Sequence, residues 1–459
     1  MTPRAAGRWL LAIASLTLAL PCAQAGPISA FAGSTATRMA LTAPDVSPLA
    51  PEELDLRRPA LLSGETSPRA RLGWTSEDVI RWWRPGVEAG DISSESAGLA
   101  LSVPLRTGAI GLELERGWSH ASYATDRDAA ARLPRERIAV AYGWPAGRGL
   151  RLGVALERSE SDARAEGTYL GGLLNSAPSG ALDLPFKSRT LSLEGRRDWG
   201  KREVALRVNR CDASFPVTLV NGADTATIDL GHEGLGWGVE AFQRLNERVR
   251  LCAFGGSSDR SGRGQMRYKQ ASYGQAEAGF YDMWFGFGGE WRSDSRTAVW
   301  GEALLREASA SARGATTVPG SLASGAGGNE FRFHGRTDLS VKALRVAAQR
   351  QGRGNVTFRI GAQVSRVDAD AGWSSQWRMG DLIPIEIGSS TESLNGARLY
   401  ILGAGVQKHF ANTGIEFALA QAFAETPRKP RPPAPPPAPG PRRQTRGGLA
   451  VALSVTRRF

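Results

Sequence analysis

The last eleven residues of the chain, Leu449 to Phe459, read LAVALSVTRRF. Side chains of an extended strand alternate between its two faces. One face of this stretch therefore carries Leu449, Val451, Leu453, Val455 and Phe459, and the other carries Ala450, Ala452, Ser454, Thr456 and Arg458. An apolar row that faces lipid, opposite a row of small or polar residues, is the pattern that a strand of a membrane barrel requires.

This ending resembles the C-terminal strand signal of Gram-negative outer-membrane β-barrel proteins, in which a terminal phenylalanine closes such a strand. The resemblance implies that Val451, Leu453, Val455 and Phe459 form a signal for the barrel assembly machinery. Arg457 departs from the pattern because its position on the apolar face is usually apolar, although an arginine near the water interface can snorkel. An ordinary edge strand that ends by chance on phenylalanine is the alternative interpretation.

The first 25 residues have the features of an export signal. Arg4 and Arg8 give a positive start, residues 9–20 are an apolar run, and Ala23-Gln24-Ala25 fits a cleavage site before Gly26. The run is too short to cross a bilayer as a helix, and no later stretch approaches the ~18 apolar residues that a transmembrane helix needs. We therefore expect an exported protein that resides in the cell outer membrane.

The composition agrees with a barrel. Hydrophobic residues make up 41% of the chain, yet the mean hydropathy is only −0.26, as expected when every second residue faces water. The net charge of +12 suits anionic partners, which include outer-membrane lipid and lipopolysaccharide, a small anionic solute or an anionic polymer. The export signal argues against nucleic acid as a partner.

Roughly fifteen alternating segments recur from about residue 97 to the end, each near the ~9–11 residues that a tilted transmembrane strand needs. Short turns between them fall near 106–108, 145–149, 198–202, 246–248, 293–296, 352–355 and 411–413. Long polar connections fall near 119–135, 160–186, 211–233, 258–275, 309–335, 368–395 and 425–447. Bacterial barrels have short periplasmic turns and long outer loops, so this alternation favours a barrel over a soluble sandwich.

The strand count follows from parity. Single-chain bacterial barrels have an even number of strands, so the segment at 97–105 needs a partner before it, for which residues 70–84 are the candidate. That stretch alternates poorly, and Thr75-Ser76-Glu77-Asp78 could instead cap a short helix. The sequence thus predicts an all-β, transmembrane, antiparallel up-and-down barrel over 71–459 with about 16 strands, with 14 or 18 as alternatives. Residues 26–70 are predicted to form a periplasmic or lumen-lying segment.

Charged residues of both signs occupy the face opposite the apolar rows. Because charge that faces lipid is costly, these side chains should line the lumen. The predicted lining residues are Arg106, Glu113, Glu115, Arg137, Arg151, Glu157, Glu194, Arg196, Arg207, Arg250, Asp282, Glu290, Arg292 and Arg359. Two interpretations stay open, which are a network of ion pairs that braces the wall and an aqueous path whose arginines guide an anionic solute.

Four further expectations concern single features. Trp118, Trp144, Trp199 and Trp291 lie near segment ends, as in the aromatic belts of membrane barrels. Cys211 and Cys252 should be too far apart along their strands to form a disulfide, so both should be free thiols. The connection 160–186, which carries the apolar stretch 169–174, is a candidate constriction loop. The basic, Pro-rich residues 427–443 cannot join a sheet and are predicted to be an outer loop.

The sequence offers little chemistry. Ser119 and His120 are neighbours, but adjacent residues of a strand face opposite ways, so they do not suggest a hydrolase. No metal-ligand spacing is present, and the glycine-rich stretches are interpreted as turns rather than phosphate loops. We therefore expect no enzyme activity, no metal and no cofactor.

Passive diffusion of small hydrophilic solutes, with anionic solutes as a candidate subset, is the function that this barrel class suggests first. Sixteen strands leave room for a water-filled lumen. The first alternative is an export conduit for an anionic polysaccharide or another product. The second is a structural or adhesive surface barrel whose lumen is blocked.

Overall fold

The computed structural model describes residues 35–49, 54–84, 87–123, 129–167, 180–221, 224–268, 271–318, 329–379, 385–425 and 446–459. Sixteen antiparallel strands each pair with the next one along the chain, and the last strand pairs with the first. The predicted 16-stranded up-and-down barrel is therefore confirmed. Among the described residues, no helix is long and apolar enough to cross a membrane.

The strands are β1 (Arg69–Arg84), β2 (Val87–Leu105), β3 (Gly108–Tyr123), β4 (Ala129–Gly147), β5 (Leu150–Gly167), β6 (Gly180–Asp198), β7 (Arg202–Asn221), β8 (Asp224–Arg244), β9 (Val249–Tyr268), β10 (Ala271–Arg292), β11 (Thr297–Val318), β12 (Asn329–Gln351), β13 (Val356–Met379), β14 (Ile385–Phe410), β15 (Thr413–Glu425) and β16 (Arg446–Arg458). The helical elements among the described residues are α1 (Ala36–Ala40) and the 3-10 helices Pro59–Gly64 and Arg353–Asn355.

The barrel closes where β1 meets β16. Their register sets Trp74 opposite Leu453, and the N–H of Phe459 donates to the carbonyl of Pro68 at 3.0 Å. Residues 75–78 are part of β1, so the alternative of a short capped helix there is wrong. The ladder to β16 supplies long-range partners that compensate for the poor alternation of β1.

The outward face carries the apolar rows that the alternation predicts. Trp118, Trp199 and Trp291 are all exposed on this face or at its edge, where an amphipathic ring is favourable. The guanidinium of Arg457 lies 5.1 Å from the centre of the Phe459 ring, which keeps its charge at the periplasmic rim. The outward surface is thus the apolar band of a transmembrane barrel.

The outer ends of the strands differ from the prediction. Most residues in the predicted long connections are strand, for example 211–221 of β7 and 224–233 of β8. The alternation of apolar residues ends at the membrane boundary, but the hydrogen-bonded ladder continues beyond it with polar residues on both faces. Apolar periodicity therefore underestimates strand length outside the bilayer.

Several predictions lie wholly or partly outside the described residues. These are the export signal at 1–25, the constriction stretch at 169–174 and the Pro-rich loop at 427–443. The flanks of the predicted constriction loop, at 160–167 and 180–186, belong to strands β5 and β6. Cys211 and Cys252 are both free, as predicted, and both are buried.

The described residues before the barrel lie inside it, and we call residues 35–49 and 54–64 the plug segment. The side chain of Thr35 caps α1 by accepting from the N–H of Arg38 at 3.3 Å, and Pro59 starts the 3-10 helix. Arg38 is buried and donates to the carbonyls of Pro44 at 2.8 Å and Ser47 at 2.9 Å. These bonds fold the segment back on itself without a sheet or a long helix.

Candidate functional site: the plug segment and the inner wall

Glycines of the inner wall receive the backbone of the plug segment. Gly143 and Gly153 are directly opposite each other in the β4–β5 register. A Cβ atom on Gly143 would lie 2.3 Å from the carbonyl oxygen of Pro59, and one on Gly153 would lie 2.2 Å from the nitrogen of Ala60. Only glycine permits such a close approach between two backbones.

A second glycine pair lies far around the ring of strands. Gly361 and Gly403 are opposite each other in the β13–β14 register. A Cβ atom on Gly361 would lie 2.4 Å from the carbonyl carbon of Leu41, and one on Gly403 would lie 2.4 Å from the carbonyl oxygen of Met39. Because these strand pairs lie on opposite sides of the barrel, the plug segment extends across the lumen.

Apolar contacts fill the space between the two glycine pairs. Leu54, Leu56 and Leu62 pack on alanines of β2 to β5, and Met39 and Ala40 pack on alanines of β15 and β16. Leu41 and Leu49 pack against larger wall side chains, which include Phe242, Phe254 and Trp300. Small residues on some strands of the wall and large residues on others match the irregular shape of the plug segment, as close packing requires.

Four wall glutamates join the plug segment to wall arginines, and we call Glu194, Glu240, Glu302 and Glu416 the bridging carboxylates. Glu302 is buried and pairs with Arg345 at 2.5 Å. The same Glu302 oxygen accepts the hydroxyl of Ser47 at 2.5 Å. One carboxylate thus satisfies a charge of the wall and a donor of the plug segment.

The same arrangement recurs around Arg196. Glu240 accepts from Arg196 of the wall at 2.8 Å and from Arg58 of the plug segment at 2.8 Å. Glu194 pairs with Arg196 at 3.1 Å and accepts the N–H of Ala60 at 3.2 Å. Arg196 also pairs with Glu203, so three carboxylates surround one buried guanidinium. Such charge-assisted bonds are stronger than bonds between neutral groups.

Glu416 of β15 is the fourth bridging carboxylate. It accepts the hydroxyl of Thr37 at 2.7 Å and pairs with Arg359 of the wall. Arg359 also donates to the side-chain oxygens of Gln349 and Gln407, each at 2.8 Å. The guanidinium therefore has several wall partners that hold it beside Glu416.

The predicted lining residues fall into several groups. Arg137 pairs with Glu113 at 3.0 Å and with Glu157 at 2.9 Å, and it lies 3.6 Å from Glu115. Asp282 accepts two bonds from Arg306, both at 2.9 Å. Four of the remaining lining residues lie around Glu203 and Glu240, namely Glu194, Arg196, Arg151 and Arg250. Arg207 donates to the carbonyl of Arg57. Arg292 pairs with Glu290, and Arg359 pairs with Glu416.

Arg106 departs from this pattern. Residues 106 and 107 form the tight turn between β2 and β3, and the Arg106 side chain is exposed there. The prediction extended the strand alternation one residue too far, since the ladder between these strands ends at the Leu105–Gly108 pair. Arg106 therefore lies at the periplasmic rim and not on the inner wall.

Sequence reasoning missed Glu240, Glu302, Glu416 and Arg345. The three glutamates lie on the face opposite the apolar row of their strands, for example Glu416 between Ile415 and Phe417. Alternation could therefore have found them. It could not have found Arg345, because this residue is in phase with the apolar Val341 and Ala343 of β12, which face inward. The donors of the plug segment, Arg58, Ser47 and Thr37, gave no such signal because their surroundings lack a strand period.

A chamber of about 660 Å³ lies between the plug segment and the periplasmic turns. Glu203 is shared there by Arg151 at 3.4 Å, Arg250 at 3.4 Å and Arg196. Among the described side chains that line the chamber, seven are arginines and five are carboxylates, and Arg196 and Arg359 have further carboxylate partners in Glu194 and Glu416. At its mouth the N–H of Arg296 donates to Asp294 at 2.7 Å and lowers the pKa of that carboxyl, which stays ionised at neutral pH.

No family model matches the sequence. A search of curated proteins also finds no match. Among solved structures, the barrel is similar to the Pseudomonas putida toluene transporter TodX, with 12% identity, a TM-score of 0.45, and 94% of this chain and 99% of that chain covered. The Ralstonia pickettii toluene transporter TbuX gives 11% identity, a TM-score of 0.43, and coverage of 94% and 99%.

A FadL homologue from Pseudomonas aeruginosa gives 11% identity, a TM-score of 0.45, and coverage of 93% and 98%. Likenesses at these identities and TM-scores do not indicate what this chain transports.

Proposed function

We propose that this chain is an outer-membrane transport channel that its own N-terminal plug segment closes, and that solute passes when the segment moves. The observation that carries the proposal is the set of bridging carboxylates. Each of them joins a wall arginine to a donor of the plug segment, as Glu302 joins Arg345 to Ser47. The contact between segment and wall is polar at these four points.

This arrangement suits a gate better than a permanent stopper. If the plug segment leaves, Glu240 keeps Arg196, Glu302 keeps Arg345, and Glu416 keeps Arg359. Breaking a buried ion pair is strongly destabilising because it leaves an unpaired charge, and here the three wall arginines keep their carboxylates. Arg207 would lose its hydrogen bond to the carbonyl of Arg57 but no ion pair. Water can replace the lost hydrogen bonds of the segment at a modest net cost. The wall is therefore prepared for both states.

A small polar solute is the substrate class that the chamber favours. Its lining is rich in charged side chains, which favours a polar solute over an apolar one. Arg151 and Arg250 share Glu203 with Arg196, so each is incompletely neutralised and faces the chamber. We infer that an anionic solute that has passed the plug segment meets these arginines before it reaches the periplasm.

A second candidate substrate is an apolar solute, because part of the inner wall near the outer ends of the strands is apolar. Leu184, Phe215 and Leu230 are buried there, and the Phe186 and Phe215 rings lie edge to face at 6.4 Å. An aqueous path needs no such surface. An aromatic hydrocarbon that quenches or shifts tryptophan fluorescence of the folded barrel, where a small sugar does not, would favour this candidate.

The test is single-channel conductance of the refolded mature protein in planar bilayers, with Gly143→Val as the opening variant. The new side chain would collide with the Pro59 carbonyl and displace the plug segment without a change in charge. Gly73→Val is the matched control, since a Cβ atom on Gly73 meets nothing within 4 Å. We expect rare openings for the wild type and the control, and stable open steps with anion preference for Gly143→Val.

Silence of Gly143→Val would contradict the proposal if the variant still folds. Folding is checked by heat-modifiability on gels, since folded barrels migrate differently before and after boiling. A folded and silent Gly143→Val barrel would instead support the alternative of a structural surface protein with a blocked lumen.

A further inference from the structure

Basic side chains gather on the outer wall of the barrel, just above the apolar band on β5 and β6. Arg158 and Arg189 are directly opposite each other in the β5–β6 register. Arg158 comes two residues after Leu156, and Arg189 comes two residues before Leu191, so each arginine lies just outside the last apolar residue of its outward row. Both arginines are exposed, so their guanidinium groups lie at the level where the hydrocarbon band gives way to lipid headgroups.

These cations lack enough carboxylates. Lys187 lies beside them, and Glu160 opposite Lys187 accepts from Arg158 at 2.8 Å. Three positive groups thus surround one negative group. Among the described residues, no carboxylate forms a salt bridge within 4.0 Å of Lys187 or Arg189. Asp212 faces Arg189 in the register, but it pairs with Arg210 at 3.5 Å. Like charges directly opposite each other are destabilising unless an outside anion joins them.

Other exposed arginines of the outer wall have a carboxylate partner and no cation opposite them. On β3, Arg116 pairs with Glu136 of β4 at 3.4 Å, and on β12, Arg336 pairs with Asp338 at 2.8 Å. In the register, the neighbours of Arg116 are Ala97 and Glu136, and those of Arg336 are Ser311 and Gly372. The pairs Arg116–Glu136 and Arg336–Asp338 therefore serve as an internal comparison for the cluster on β5 and β6.

A groove of about 1100 Å³ runs along the outer wall from this cluster to β12. At its far end Arg263 and Arg313 share Glu277, at 3.3 Å and 2.6 Å. The groove thus has two arginines for one carboxylate at that end as well. Leu191 and Leu193 continue the outward row of β6 below the groove and present an apolar surface.

We propose that Arg158, Lys187 and Arg189, which we call the headgroup patch, bind the phosphate groups of a phosphorylated glycolipid of the outer leaflet, namely lipopolysaccharide. An arginine fork matches two phosphate oxygens, and two arginines in register can hold one phosphate between them. The acyl chains of the same lipid lie on the apolar band directly below. The patch supplies the positive charge and the band supplies the apolar surface that one such lipid needs.

The experiment measures binding of lipopolysaccharide to the refolded, detergent-solubilised protein by native mass spectrometry or by titration with a fluorescent derivative. The double variant Arg158→Gln/Arg189→Gln removes the surplus charge. Arg116→Gln/Arg336→Gln is the matched control, because it removes two exposed arginines that have their own carboxylates and face no other cation in the register. We expect the half-saturating concentration to rise about tenfold for the first variant and less than twofold for the control, as loss of charge-assisted hydrogen bonds predicts.

Two comparisons identify the bound group. Enzymatically dephosphorylated lipopolysaccharide should bind to the wild type as weakly as intact lipopolysaccharide binds to the double variant. Inorganic phosphate should compete only at millimolar concentrations, since it lacks the apolar contacts. Lys187→Gln, which leaves both arginines in place, should give an intermediate loss.

Equal affinity of the two double variants would overturn the proposal, and so would equal binding of the dephosphorylated lipid. Strong competition by inorganic phosphate would mean a site for free anions rather than for lipid. Conductance of the headgroup variants should match that of the wild type, since the patch faces away from the lumen. The lipid-binding role of the headgroup patch and the gating role of the plug segment are therefore tested independently of each other.

Discussion

Two arginines of the inner wall, Arg137 and Arg196, have nearly the same surroundings. The side chain of each is 3% exposed, and each faces three carboxylates. They differ in what lies beyond the carboxylates. Glu194 and Glu240, around Arg196, also accept from Ala60 and Arg58 of the plug segment.

The carboxylates around Arg137 have wall partners instead. Glu113 lies 3.7 Å from Arg71 of β1, and Glu115 lies 3.4 Å from Arg135 of β4. The Arg137 cluster therefore braces neighbouring strands, whereas the Arg196 cluster joins the wall to the segment that fills it. Charge composition alone does not separate these roles, because the difference lies in the partner on the far side of each carboxylate.

The largest expected effect comes from removing the two arginines in turn. Arg137→Met and Arg196→Met each leave three carboxylates without their central cation, and we expect each to lower the free energy of unfolding by about 3–5 kcal/mol. Only Arg196→Met should also raise the conductance, since it disturbs the partners of Arg58 and Ala60. Urea unfolding in lipid vesicles, followed by tryptophan fluorescence, measures the first quantity, and planar bilayers measure the second. Equal conductance of the two variants would show that the clusters do not differ in role.

The inner wall could be predicted from the sequence to a large extent, because its strands alternate with period two. The structure has Arg137, Glu157 and Arg196 on the inner wall, the face to which this alternation assigns them. Alternation could not reveal what fills the lumen, since the plug segment has neither a strand period nor a long helix, and its shape depends on single bonds such as those of Arg38. Its docking glycines, such as Gly143, cannot be told from turn glycines until a second backbone lies on them.

The Arg196 and Arg137 clusters can also be compared through one carboxylate of each. Glu240→Gln removes the charge that faces Arg58 of the plug segment but keeps the shape and a carbonyl acceptor. A bond to a charged group is stronger than a neutral one by about 1 kcal/mol, so the open fraction should rise about fivefold. Glu157→Gln is the control in the Arg137 cluster and should leave the open fraction unchanged. The measurement is the open probability of single channels at fixed voltage and salt.

Loss of the charge at Glu240 also leaves Arg196 with Glu194 and Glu203, so the wall keeps its central ion pairs. We therefore expect the midpoint of urea unfolding to change little for Glu240→Gln. A large fall in that midpoint together with an unchanged open probability would mean that Glu240 braces the wall in the same way as Glu157.

The smallest expected effect comes from two threonines, each of which makes one hydrogen bond at similar distance. Thr37 of the plug segment donates to Glu416 at 2.7 Å, and Thr75 of β1 lies 2.7 Å from the hydroxyl of Ser96 of β2. Valine has nearly the same shape as threonine, so each Thr→Val change removes about 0.5–1.5 kcal/mol of hydrogen bonding. Glu416 keeps Arg359 in the Thr37→Val variant, so the lost energy concerns only the docking of the plug segment. Thr37→Val should raise the open probability a few-fold and leave the unfolding midpoint of the barrel unchanged, whereas Thr75→Val should do the reverse. If both variants change the unfolding midpoint alone, the plug segment is a fixed part of the barrel core, because a bond that only holds a gate has no reason to stabilise the wall.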